Sequence, residues 1–187
     1  IYIRNCAVTS VDFNKNVPND KVAPSIGSGT DGNVGTIEIY NSDVTGAGIG
    51  AASEKFDDCN AVDKIIIQGC TVSAIRQVVD WDASNSASQA AGIGSGIGGD
   101  IGSIDIEDST VTAQGVGGGA GIGSGGVSGA SYSEGKQSSS SDVGTITIRR
   151  SNIKEATGSS QRVTSELTSG GAGIGLGFAV GGNGTIH

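Results

Sequence analysis

Methionine is absent from the 187 residues, and tryptophan and histidine occur once each, as Trp81 and His187. With His187 at the last position, neither a histidine-based catalytic triad nor a multi-histidine metal cluster is expected. Aromatics make up 4% of the chain, which excludes a core built around large rings. Only two prolines accompany the glycines, so the composition is neither collagen-like nor that of a Pro/Gly-rich disordered tract. Cys6, Cys59 and Cys70 are too few and too irregularly spaced for a disulfide framework or a zinc site, and they leave the redox compartment open. Lysine and arginine total 11 against 19 aspartates and glutamates, a net charge of −8 that speaks against a nucleic-acid partner. No run of 18 apolar residues offers a helical membrane span, and no signal-like stretch is recognisable.

Glycine is what the chain has in excess, at 34 residues, and its apolar content lies mainly in Ile, Val and Ala. Those residues fall into two alternating modules. The first is an Ile-x-Ile pair: Ile1 and Ile3, Ile37 and Ile39, Ile65 and Ile67, Ile104 and Ile106, Ile146 and Ile148. A sixth copy begins at Gly184-Thr185-Ile186. Three residues past each pair stands Cys6, Ser42, Cys70, Ser109 or Ser151, and two further on Val8, Val44, Val72, Val111 or Ile153. The second module is an Ile flanked by small residues: Ile26, Ile49, Ile93, Ile122 and Ile174.

Repetition of this kind means that each unit is one supersecondary element stacked on its neighbours. The pairs recur at unequal steps, from Ile1 to Ile37, Ile65, Ile104 and Ile146. Each of the two intervals within a repeat has a floor, seen between Ile37 and Ile49 and between Ile26 and Ile37, above which residues are added. Length variation confined to two corners is what stacked coils allow. The spacing therefore predicts an all-β, single-stacked right-handed parallel β-helix (solenoid) over residues 1–187, of about five coils, with loop insertions at two corners. Alternation places Ile37 and Ile39 inward and Glu38 and Tyr40 outward. Ser42 and Val44 are out of phase with that pair, which predicts a bend between them. The stack should align Ile37, Ile65, Ile104 and Ile146 in one column, the Cys/Ser positions in a second and the Gly-flanked Ile residues in a third. The polar stretches 84–88 and 129–141 read as loops, and Ala74 to Val79 as a short helical turn.

Gly144-Thr-Ile-Thr-Ile148 with Ser151-Asn-Ile153, the stretch GSIDIEDSTVTAQG from Gly102, and GGAGIGSG from Gly118 resemble the Gly-rich right-handed β-helix repeats of secreted and cell-surface proteins, of adhesin or carbohydrate-binding type. The resemblance implies an extracellular or cell-surface location. It brings no catalytic motif, so it assigns no site residues.

Candidate chemistry rests on individual residues. Asp105 and Glu107 lie two apart on one predicted strand, roughly 7 Å, a separation used by inverting glycosidases. Thr147 and Arg149 should flank them one coil on, so an outward ion pair is the competing reading. Asp80-Trp81-Asp82 could stack a sugar ring between acceptors, and Phe56-Asp57-Asp58 is a second aromatic–acid cluster. No dense calcium loop occurs, and no metal, cofactor or catalytic residue is assigned. The expected function is a structural or adhesive array, a rigid shaft or scaffold of a surface or fibre protein rather than an enzyme. The alternative is a polysaccharide-binding or polysaccharide-cleaving β-helix. The expected partners are neighbouring repeats or subunits stacked end to end, with polysaccharide under the alternative.

Overall fold

The computed structural model describes residues 1–10, 24–29, 32–51, 61–76, 90–96, 98–126, 141–158, 160–162, 168–177 and 184–187. Every regular element among them is a β-strand, and three sheets are purely parallel. The first orders β1 (Tyr2–Arg4), β4 (Val34–Tyr40), β7 (Val62–Gln68), β10 (Ile101–Glu107), β13 (Val143–Arg149) and β18 (Gly184–Ile186). The second orders β2 (Ala7–Thr9), β5 (Asp43–Gly46), β8 (Thr71–Ile75), β11 (Thr110–Gln114) and β14 (Asn152–Thr157). The third orders β3 (Ile26–Ser28), β6 (Ile49–Ala51), β9 (Ile93–Gly94), β12 (Ile122–Gly123) and β17 (Ile174–Gly175). The chain thus visits the three sheets in the same sequence on each circuit, and each strand pairs with its counterparts one circuit before and after.

The pairing is in register. Ile104 stands opposite Ile65 on one side and Ile146 on the other, and Ile37 opposite Ile65. These isoleucines and Ile39, Ile67 and Ile106 have at most 1% of their surface exposed, so each contributes about 1.5–3 kcal/mol by burial. The first sheet also has an inward column that the Ile-x-Ile reading did not include: Val34, Val62, Ile101 and Val143. It lies three residues before the pair, out of phase with strict alternation, because the residue after it (Gly35, Asp63, Gly102, Gly144) drops out of the regular pairing in each strand.

The bend expected between the first and second sheets is a two-residue corner that never changes length. Its first residue is Asn5, Asn41, Gly69, Asp108 or Arg150, each with φ between 46° and 65°. This left-handed conformation suits Gly, Asn and Asp and is unfavourable for arginine. The second residue is Cys6, Ser42, Cys70, Ser109 or Ser151. The Ser42, Ser109 and Ser151 hydroxyls each accept the backbone N–H of the counterpart one circuit earlier, a group that the turn would otherwise strand. The Ser109 hydroxyl donates to the Glu107 carbonyl (2.7 Å) and accepts the Cys70 N–H (3.1 Å), and Ser151 repeats the pattern with Arg149 (2.8 Å) and Ser109 (3.1 Å).

In the third sheet Gly27, Gly50, Gly94, Gly123 and Gly175 all have φ between 126° and 143°. In that conformation a Cβ on any of the first four would be driven into the carbonyl oxygen of the glycine stacked on it. Only glycine fits there, which explains the invariant Ile-Gly step.

Two features depart from the expected plan. Ala74 and Ile75 belong to strand β8, not to a helical turn, because Val72 and Ala74 face inward between their counterparts on β5 and β11. Residues 77–79 of that stretch lie outside the described residues, as do all of 84–88 and residues 129–140. The insertion before β17 also holds an antiparallel pair, β15 (Ser160–Arg162) with β16 (Thr168–Gly170).

Candidate functional site

The outer face of the first sheet carries most of the chemistry that the described residues offer. Asp105 and Glu107 both lie on it, on β10, and their strand neighbours are as the register predicts: Ile66 and Thr147 beside Asp105, Gln68 and Arg149 beside Glu107. Each carboxylate is engaged by a cation. Lys64 Nζ lies 3.3 Å from Asp105 Oδ2, reaching diagonally from the adjacent strand. Glu107 is held by the Arg150 guanidinium, not by Arg149. The reason is the corner: Arg150 occupies the left-handed position, and its side chain runs back along the stack to Asp108 and Glu107.

Asp108 completes that cluster. Arg150 Nε donates to Asp108 Oδ1 (2.7 Å) and Nη2 to Oδ2 (3.0 Å), a bidentate pair. The hydrogen bonds from Arg150 hold the Asp108 carboxyl below its usual range, and those to Asp108 and Glu107 hold the guanidinium more firmly protonated. Asp80, Trp81 and Asp82 lie outside the described residues, as do Phe56, Asp57, Asp58 and Cys59. Among the described residues no group of three or more His, Cys, Asp or Glu side chains is placed to hold a metal ion.

A second constellation on the same face was not recognised from the sequence. Tyr2 pairs in register with Glu38, and Arg4 with Tyr40. The two tyrosines are therefore diagonal neighbours, with ring centroids 5.7 Å apart and planes tilted by 45°. Tyr40 donates its hydroxyl to Glu38 Oε2 (3.0 Å), and that hydrogen bond raises the Tyr40 pKa. Around them is an open concavity of about 570 Å³, lined also by Asn41, Gln68, Gly69 and Asp108. A second hollow of about 490 Å³, with Asn5, Cys6 and Asp43 on its walls, shares Asn41 and Gly69. Gly69 is the one corner residue without a side chain, and both hollows lie against it. The signal was present in the column alignment, which places Tyr2 beside Glu38 and Tyr40 two residues on.

Arg76 was also not legible in advance. Its side chain is fully buried where β8 ends, donating from Nε to Ala91 O (2.7 Å) and from Nη2 to Ala51 O (3.0 Å). Burial pushes its pKa down to about 10. It ties the end of the second sheet to two segments at the third, a structural role. No family model, curated protein or solved structure matches the chain.

Proposed function

We infer that the three parallel sheets are the faces of one single-stacked right-handed solenoid, and that this solenoid is a rigid shaft or scaffold segment of an extracellular surface or fibre protein. The right hand follows from the rule for parallel crossovers, which holds in about 98% of cases. The observation that carries the functional reading is the in-register column structure. Like residues sit on like residues from Ile37 to Ile146 in the first sheet and from Ile26 to Ile174 in the third. Such a ladder transmits shape from circuit to circuit, and additional repeats or subunits can extend it by the same pairing.

The reading is non-enzymatic. Asp105 and Glu107 are tied to Lys64 and Arg150 on an open sheet, which leaves neither poised as acid or base for glycoside cleavage. Surface shaving of intact source cells with protease tests the location: peptides of this chain should be released before cytosolic markers. Recovery of the chain only after lysis would overturn the reading. Depolymerisation of a polysaccharide by the purified protein would favour the cleaving alternative.

A further inference from the structure

The concavity around Tyr2 and Tyr40 has a set of side chains that a shaft does not need. We propose that it is a binding subsite for a neutral pyranose with equatorial hydroxyls, the unit of a β-linked glucan. This goes beyond the shaft reading and stands or falls separately from it.

A pyranose with equatorial hydroxyls presents flat patches of axial C–H, which pack against aromatic faces; tyrosine combines such a face with a polar tip. Two tyrosines meet here at 5.7 Å on the outer face of the first sheet. The volume, about 570 Å³, falls within the roughly 300–1,000 Å³ typical of small-molecule sites.

Polar groups follow the same logic. Vicinal hydroxyls need donors and acceptors side by side. Asn41 and Gln68 each supply both, Arg4 supplies donors, and Glu38 accepts. The Tyr40–Glu38 hydrogen bond fixes the second ring, and the backbone beneath is held by pairing of β1, β4 and β7. A ligand would meet side chains already oriented, which lowers the cost of binding. Gly69 carries no side chain, and the Asn41 amide lies over it, since a Cβ there would meet Asn41 Oδ1 at 2.5 Å.

Charge selects a neutral sugar. Arg4 and Glu38 balance, and Asp108, the remaining carboxylate on the wall, is already engaged by Arg150. No surplus cation remains on these walls for a uronate.

The test is isothermal titration calorimetry of the protein with cellohexaose, maltohexaose and a hexamer of galacturonate. Cellohexaose should bind with a Kd in the high micromolar to low millimolar range, more tightly than the other two. Tyr40→Ala and Tyr2→Ala should each weaken it about tenfold, whereas Tyr40→Phe, which keeps the ring, should change it less than about threefold. Circular dichroism of each variant should match the parent, and Lys154→Ala on β14 should bind normally. Absence of cellohexaose binding at millimolar concentration would overturn the proposal. So would unchanged affinity in both alanine variants with parent-like spectra, or preferential, salt-sensitive binding of the galacturonate hexamer.

Discussion

Ser109 and Cys70 stack in one column at the corner between the first two sheets, and the backbone N–H of Cys70 donates to the Ser109 hydroxyl at 3.1 Å. Cys70 takes the same place one circuit earlier, its thiol donating to Gln68 O at 3.1 Å as the serine hydroxyls do. The column treats serine and cysteine as equivalents because each has one short, unbranched polar group that can donate and accept. Ser109→Ala should therefore cost about 1–3 kcal/mol, since it strands the buried Cys70 N–H, while the Glu107 carbonyl keeps its bond from the Gly69 N–H. Cys70→Ser should change stability by less than about 1 kcal/mol. Urea denaturation measures both, and equal losses in the two variants would contradict the column's logic.

The glycine ladder gives a sharper steric prediction. Gly94 has φ of 143°, and a Cβ there would collide with the Gly123 carbonyl on the next circuit. Gly94→Ala should cost about 3 kcal/mol or more, combining backbone strain with a broken ladder contact. Gly29→Ala, where an added Cβ meets nothing within 4 Å, is the control and should shift the melting temperature little.

Ile104 has no exposed surface and lies between Ile65 and Ile146. Ile104→Val should cost about 0.5–1.5 kcal/mol through a small cavity. Ile104→Asp should cost about 4 kcal/mol or more, because an unpaired carboxylate would enter a core of aliphatic side chains. A soluble Ile104→Asp protein with parent-like melting would show that this column is not the core.

The Asp108–Arg150 pair predicts a pH signature. The folded carboxyl has a lowered pKa, so the pair's stabilisation is present above the unfolded-state value near 3.8 and is lost as pH falls through the folded value. Asp108→Asn should melt slightly below the parent at pH 7, and the two should converge in acid. The exposed position makes the difference small and salt-sensitive. Melting curves between pH 2 and pH 7 check this, and a gap that persists in acid would assign the effect to another cause.

Cys6 is exposed and Cys70 buried, and both are free thiols. Burial pushes the Cys70 thiol pKa up, which lowers its thiolate fraction at neutral pH. Iodoacetamide at pH 7.5 should label Cys6 in the folded protein and reach Cys70 only after unfolding, as peptide mass spectrometry would record.

Much of this architecture was legible in the residues because stacking places like on like. The spacing of Ile37 and Ile39 to Ser42 and Val44 located the corner, and the phase slip between them anticipated a bend; that it is a left-handed turn at Asn41 came from the structure. The alternation of Ile-x-Ile pairs with Gly-flanked isoleucines predicted two of the three sheet columns. The register also placed Arg149 beside Glu107.

What the chain order could not convey depends on where side chains point and on contacts across insertions of unequal length. Arg150 rather than Arg149 reaches Glu107 because the corner conformation, not the strand position, aims the side chain. Val34, Val62, Ile101 and Val143 join the core only because one residue in each strand leaves the regular pairing, an irregularity with no counterpart in simple alternation. Arg76 reads as an ordinary surface cation until folding closes Ala51 and Ala91 around it, and burial of its apolar stem with carbonyl acceptors in reach makes that position favourable. Tyr2 and Tyr40 meet because parallel pairing brings successive circuits to within roughly 4.8 Å of each other. The sequence determined which residues repeat and which alternate; the tertiary structure decided which of them touch, because contact is set by stacking and side-chain direction rather than by separation along the chain.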